Sequence, residues 1–327
     1  MQDHPRAERG RHSVRASNAR TLAVLAALGA CLIAAAVIIV NIVFRGGGTG
    51  PSGGDGTAAA ASPAPSRPPT AASPAPAPPA HADPLATAAA SYISARAGTV
   101  LAAVHDIRTG QTWYLGHGQP QAEASVVKLD ILETLLAQQG ESTPAGLPAS
   151  DQALAQEMIE DSDNDAATSL WDAVGGPVGI RNFNASADLT ATSPSPCVVC
   201  AGFPWPGWGL TTTVPADQIA LLRELVEPSR LLTTAERRYA LSLMENVTPS
   251  QRWGVSGGVP AQVTVALKNG WLPLNAAGTD WQINSVGWIW GRGRDYLMAV
   301  LSTGNPDEQY GIDTIDQLAA IVWRRMR

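Results

Sequence analysis

The chain has 327 residues, enough for one or two domains, and 22 Lys and Arg against 28 Asp and Glu give a net charge of −6. Six Arg against Asp3 and Glu8 give residues 1–45 a charge of +4, which leaves −10 for the rest by subtraction. An acidic remainder with no basic stripe argues against a nucleic-acid partner, because phosphate binding needs a basic face.

Arg6, Arg9, Arg11, Arg15 and Arg20 precede Thr21–Phe44, a run of 24 residues without a charge. As a helix this run spans roughly 36 Å, enough for a ~30 Å hydrocarbon core with some tilt. The positive-inside bias makes residues 1–20 a cytoplasmic basic N-terminus and 21–44 a single-pass transmembrane anchor, with everything after it extracytoplasmic. Two processing routes compete with this reading. A cleaved signal peptide has a shorter apolar core. Leu28-Gly29-Ala30-Cys31 resembles a bacterial lipoprotein box, although the chain stays apolar from Leu32 to Val40. The length favours the uncleaved anchor.

Residues 45–84 are Gly-rich and then Ala/Pro/Ser-rich, too poor in large apolar side chains to offset the entropy of ordering. Their Pro-rich part is an extended spacer of ~3.1 Å per residue, holding residues 85–327 off a membrane and within reach of a cell wall.

From Leu85 the pattern is globular. Thr99–Asp106 and Gln111–Leu115 read as strands around a turn at Arg108-Thr109-Gly110. Val126–Gln139 has helical apolar spacing and stops at Gly140. Helices follow over Asp151–Glu160, over Asp165–Val174 with a stop at Gly175-Gly176, and over Pro215–Val226 with Pro in its first turn. Gln262–Leu267, Gln282–Trp290 and Tyr296–Ser302 read as strands, and a last helix over Ile312–Arg325 buries Ile315, Leu318 and Val322. This order predicts an α+β fold, an αβα sandwich. Its antiparallel sheet of about five strands is completed by both chain ends and flanked by helices, with a mostly helical second lobe.

Lysine occurs only at 128 and 268; every other strong base is Arg. Arg stays charged at any workable pH, whereas a desolvated Lys can lose its proton. Ser125-Val126-Val127-Lys128 puts a hydroxyl and an amine one helical turn apart on one face, where the amine can activate the serine as a nucleophile. Alone, such a pair is common and a solvated helix start explains it. Ser162-Asp163-Asn164 lies between two helices, where plain N-capping is the simpler account. Lys268-Asn269-Gly270 ends an apolar strand; Gly there lets a substrate lie along the edge, and a strand-ending turn is the simpler account.

Together and in this order, the three resemble the S-x-x-K, S-D-N and K-T-G motifs of class A β-lactamases and penicillin-binding proteins. The resemblance covers residues 90–327 and includes the Thr211-Thr212-Thr213 run before Pro215. It implies that Ser125 forms the acyl-enzyme, Lys128 activates it, and Ser162 passes a proton to the leaving nitrogen. Asn164 would bind the substrate amide, and Lys268, Asn269 and Gly270 would line the substrate, with Lys268 drawing its carboxylate. The N–H groups of Ser125 and Trp271 would form the oxyanion hole. The implied partner is a small β-lactam or a peptidoglycan peptide, met by a monomer without a cofactor.

The chain departs from the family pattern in its loop. No Glu occurs from Asp161 to Arg223, where the family carries the glutamate that activates the deacylating water, and Asp188 is the only acid in the centre of that loop. Asn269 replaces a hydroxyl residue, and the 37-residue step from Ser125 to Ser162 implies a trimmed helical lobe. Two functional readings follow: a β-lactamase-like hydrolase, or a penicillin-binding D,D-peptidase-like enzyme with slow deacylation. A third is a wall-binding homologue without turnover. Cys197 and Cys200 read as a structural disulfide outside the membrane. No Cys follows and no His lies beyond His117, so a four-ligand metal site is unsupported. Gly254-Val255-Ser256-Gly257-Gly258 matches a nucleophile elbow, but no His follows it, so it reads as a glycine-rich loop.

Overall fold

The computed structural model describes residues 82–139, 147–202 and 205–326. The expected N-terminus, anchor and lipoprotein box, and the linker up to residue 81, lie outside the described residues. Among the described residues, no helix is long and apolar enough to cross a membrane.

A short helix α1 (Ala88–Ser94) leads into the hairpin of β1 (Thr99–Asp106) and β2 (Thr112–Leu115). Its turn is closed by Gly110, which donates to the Asp106 carbonyl and takes a φ of 70° that a side chain would resist. The middle of the chain supplies β3 (Gln121–Ala122), α2 (Val127–Gln139), α3 (Ala149–Gln156), α4 (Asn164–Ala173) and α5 (Gly176–Ser186). Then come β4 (Thr212–Thr213), α6 (Pro215–Val226) and α7 (Thr234–Glu245). The end supplies β5 (Thr264–Pro273), β6 (Trp281–Gly291), β7 (Arg294–Asn305) and α8 (Glu308–Arg325).

The five long strands form one antiparallel sheet in the order β2-β1-β7-β6-β5, so both chain ends build it, as expected. Alternation along each strand sends side chains to two cores. Val100, Ala102 and Val104 of β1 face α8, whose Ile315, Leu318 and Val322 are all buried. Ala103, Ala266, Val286 and Leu297 face the opposite layer, where α2 and α4 to α7 pack. Helices on both faces make an αβα sandwich. The strand at one margin is β5, and that margin carries the site.

Boundaries moved where pairing decides them. The expected strand over 262–267 is β5, which runs on to Pro273 because each residue from Thr264 pairs with β6, up to Pro273 opposite Trp281. Lys268-Asn269-Gly270 therefore lies inside a strand, and no turn ends there. The glycine-rich loop at 254–258 is structural: Gly254 donates to Asp316 Oδ1 at 2.5 Å, and Val255 donates to Ser285 Oγ at 2.9 Å.

Helix α2 is buried along ten consecutive residues, Val127 to Leu136, and so behaves as a central helix. That burial traps two acids. Asp130 accepts from Asn184 at 2.9 Å, whereas both Glu133 oxygens lack a hydrogen-bond partner among the described residues. Burial, helped by Asp130 and Glu224, pushes the Glu133 pKa well above the usual carboxylate range. The folded protein thus holds a proton that the unfolded chain releases above ordinary carboxylate pH, and stability falls as pH rises through that window. Glu133→Met is expected to stabilise the fold by about 1–3 kcal/mol at pH 8. The gain should shrink toward pH 4, as read by denaturant unfolding at both pH values.

Candidate active site

Ser125 sits in a short 3₁₀ turn, Ala124–Val126, that opens directly into α2. Ala124, just before it, has a φ of 50°, a strained value for a residue with a side chain. The turn is pressed against the free margin of β5. A Cβ on Gly270 would stand 2.6 Å from Ser125 N, 2.8 Å from Val126 N and 2.9 Å from Glu123 O. Gly270 is therefore required by the backbone that carries Ser125, a different reason from the room for a substrate expected of it.

Lys128 lies one turn further along α2 and is fully buried. Its Nζ donates to Ser162 O at 2.6 Å, Asn164 Oδ1 at 2.7 Å and Ser162 Oγ at 3.1 Å. A lysine ammonium has three N–H donors, and these contacts use all three. The S-D-N segment is shaped for this. The chain leaves α3 through a π turn, Glu157–Asp161, and Ser162 then adopts a left-handed conformation with φ 60°. That reversal turns both Ser162 oxygens toward Lys128, while Asp163 caps α4 by accepting from Ala166 N at 2.7 Å. Capping and amine binding are thus shared among three adjacent residues.

Lys268 approaches the same hydroxyl from β5. Its Nζ donates to Ser162 Oγ at 2.9 Å and to Asn269 O at 3.0 Å, with 1% of the residue exposed. One hydroxyl thus accepts from two amines. Burial lowers the Lys128 pKa to about 7, with Asp163 opposing the shift. Burial also lowers Lys268 well below the ordinary lysine value, and the Lys128 charge lowers it further. Two cations on one oxygen in a desolvated site repel each other, so the pair gives up a proton readily.

Not every residue expected at the site joins it. Asn269 is buried on the opposite face of β5, and its Nδ2 donates to Gln251 O at 2.6 Å and Trp253 O at 3.1 Å. The period of two along a strand turns it away whenever Lys268 faces Ser162, so its expected place beside a substrate is corrected. The Lys268 ammonium meets Ser162 and is not among the residues lining the open cavity. Asp188 is exposed after α5, with φ 57°, and hydrogen-bonds to no site residue among those described.

In front of Ser125 lies a cavity of about 240 Å³, lined by Ser125, Asn164, Trp271 and three further tryptophans, Trp205, Trp208 and Trp281. The Trp208 ring centroid is 5.0 Å from Lys128 Nζ, and its Nε1 donates to Thr168 Oγ1 at 3.2 Å. An aromatic face thus covers one side of the amine. Cys197 and Cys200, joined in a disulfide with Cα atoms 5.8 Å apart, brace this wall. A Cβ on Gly207, between Trp205 and Trp208, would be 2.8 Å from Cys200 Sγ.

Chemically, the cluster can hold an amine neutral near pH 7 within one turn of a hydroxyl. It can also move a proton between that amine and a second hydroxyl. Among the described residues, no group of three or more His, Cys, Asp or Glu could hold a metal ion.

Comparison with known proteins agrees with this architecture. A model of the β-lactamase enzyme family matches residues 138–326, starting beyond Ser125 and Lys128. The chain is 30% identical over 231 residues to the "Putative lipoprotein LppW" of Mycobacterium tuberculosis (strain ATCC 25618 / H37Rv), across 68% of this chain and 69% of that one. The TLA-1 extended-spectrum β-lactamase superposes with a TM-score of 0.62 at 18% identity, over 72% of this chain and 95% of that one. A class A β-lactamase from Mycobacterium abscessus gives a TM-score of 0.57 at 24% identity, over 72% and 96%. At these identities the two solved structures speak for the fold alone.

Proposed function

The chain belongs to the β-lactamase enzyme family, and from that premise we propose that it is a serine acyl-transfer enzyme with Ser125 as nucleophile and Lys128 as base. The observation that carries this reading is the convergence of both lysines of the chain on one hydroxyl, Ser162 Oγ, at 3.1 and 2.9 Å.

The reaction follows from the donors. A neutral Lys128 keeps two N–H bonds, enough for Ser162 O and Asn164 Oδ1, and its lone pair then takes the Ser125 proton. Ser125 Oγ attacks the carbonyl carbon of a β-lactam or related amide. The N–H groups of Ser125 and Trp271 stabilise the oxyanion. The C–N bond breaks, and the proton returns through Lys128 and Ser162 to the leaving nitrogen. Asn164 Nδ2 is available to the substrate amide, because only the Oδ1 of that side chain is held by Lys128.

Deacylation is the slow half. Trp208 lies over Lys128, the loop holds no Glu, and Asp188 is exposed and hydrogen-bonds to no site residue among those described. This favours the penicillin-binding, D,D-peptidase-like behaviour, in which the acyl-enzyme outlives its formation. An extracytoplasmic setting, with residues 1–84 as cytoplasmic terminus, membrane attachment and spacer, is part of the same proposal. The name of the Mycobacterium tuberculosis relative supports membrane attachment.

Intact-mass measurement of the full chain with benzylpenicillin over time tests the proposal. The expected result is one adduct per chain, absent in Ser125→Ala and lost only over many minutes. Absence of any adduct at millimolar ligand would remove the enzymatic reading, and rapid turnover would remove slow deacylation.

A further inference from the structure

Building on that reading of Ser125, we infer that the site takes substrates whose acyl part is an aliphatic chain, seated in a second cavity continuous with the first. This second space, about 580 Å³, adjoins the mouth of the Ser125 cavity and shares Trp205, Leu272, Pro273 and Trp281 with it. It continues over Leu274, Ala276 and Gly278, along the connection from β5 to β6. Among the described residues, none that lines either cavity carries a charge.

This lining selects chemistry. A charged acyl group laid along it would lose hydration with no ion pair in return, whereas a hydrocarbon chain gains from every methylene removed from water. Leu274 stands at the outer end of the path with 38% of its surface exposed, so part of that side chain is free to meet a ligand. The four tryptophans at the Ser125 end supply rigid apolar walls that need no ordering when a ligand enters. Trp281 is fixed by donating its Nε1 to Gly278 O at 2.9 Å, so the passage between the cavities is preformed.

The step itself is ordinary acyl transfer. Ser125 Oγ bonds to the carbonyl carbon of an ester R–CO–OR′, the C–OR′ bond breaks, and R′O takes the proton relayed by Lys128. Water later cleaves the serine ester, releasing R–COOH and restoring the hydroxyl. The alkyl chain R occupies the second cavity throughout.

The test uses the full chain in lipid nanodiscs and p-nitrophenyl esters of acetate, butyrate, octanoate and dodecanoate, reading p-nitrophenolate release in the first turnover. The acylation rate constant per unit ester is expected to rise by about fourfold for each buried methylene. Leu274→Asp, at an exposed position lining only the second cavity, is expected to end that rise for the octanoate and dodecanoate esters and leave the acetate rate unchanged, while Leu274→Met preserves it. A flat or falling series on an enzyme that cleaves the acetate overturns the acyl-chain site alone. Failure to cleave any ester, acetate included, overturns the serine-hydrolase reading beneath it.

Discussion

Replacing Lys128 by methionine will slow acylation of Ser125 by about 10²–10⁴-fold, and replacing it by arginine will slow it as much. The two variants differ in charge and agree in lacking a proton acceptor, since a guanidinium does not deprotonate in a protein. Equal losses would show that the site needs a proton acceptor, and not a charge, from residue 128. The sign of the pH dependence follows from the same point. Burial lowers the Lys128 pKa to about 7, so below that value the amine is protonated and idle. The first-turnover rate constant with benzylpenicillin is expected to climb as pH rises from 5.5 to 8, with a midpoint about 7, and then to level off. A Lys128→Arg enzyme that keeps its rate, or a profile flat across that range, would mean that the lysine serves only as a cation.

Gly270→Ala is expected to be the most damaging one-methyl change near the site. The new Cβ would meet three backbone atoms of residues 123 to 126 at 2.6 to 2.9 Å, and backbone cannot yield as a flexible side-chain end can. Either the 3₁₀ turn lifts from β5 or the strand bends away from β6. Both routes cost about 1–3 kcal/mol of stability, as overpacking does. Both also shift Ser125 relative to the Trp271 N–H, and a displacement of about 1 Å is worth on the order of 100-fold in rate. Thermal unfolding and the first-turnover rate should therefore fall together. Gly118→Ala is the control, because its Cβ would sit at an ordinary 3.4 Å from Leu101 Cδ2. A Gly270→Ala protein with unchanged rate and melting temperature would contradict the packing described here.

Much of this fold is written in local pattern. The hairpin of β1 and β2, the helix after Ser125 and the burial of Ile315, Leu318 and Val322 follow from period and turn chemistry alone. Three helices, α1, α5 and α7, escaped that reading, although the last two carry local signals. Helix α7 begins with a capping box in which Thr233 and Glu236 bond each other's backbone N–H. Helix α5 begins at Gly176-Pro177; Gly175-Gly176 reads first as the stop of α4, although Pro at a helix start is also a beginning.

The candidate site divides the same way. Ser125, Lys128, Ser162, Asn164 and Lys268 could be singled out because the chain's two lysines fall in motifs whose order resembles that of class A β-lactamases, although each motif alone is weak. What local pattern could not give is orientation. That Asn269 turns to Gln251 and Trp253 depends on which face of β5 meets the core. That Trp208 covers Lys128 depends on a loop 80 residues downstream folding back over α2. Glu133 is buried because α2 is surrounded, a property of its neighbours and not of its own sequence.

The account depends on an amine that is uncharged at neutral pH, and the composition of the chain makes that directly measurable. With lysine only at 128 and 268, the full chain labelled with ¹³C-lysine has two Cε signals, and Lys128→Met assigns them by removing one. The account predicts that the Lys128 signal titrates about pH 7 and that Lys268 titrates well below the ordinary lysine value. Two signals that both titrate near the unperturbed value of about 10.4 would contradict it.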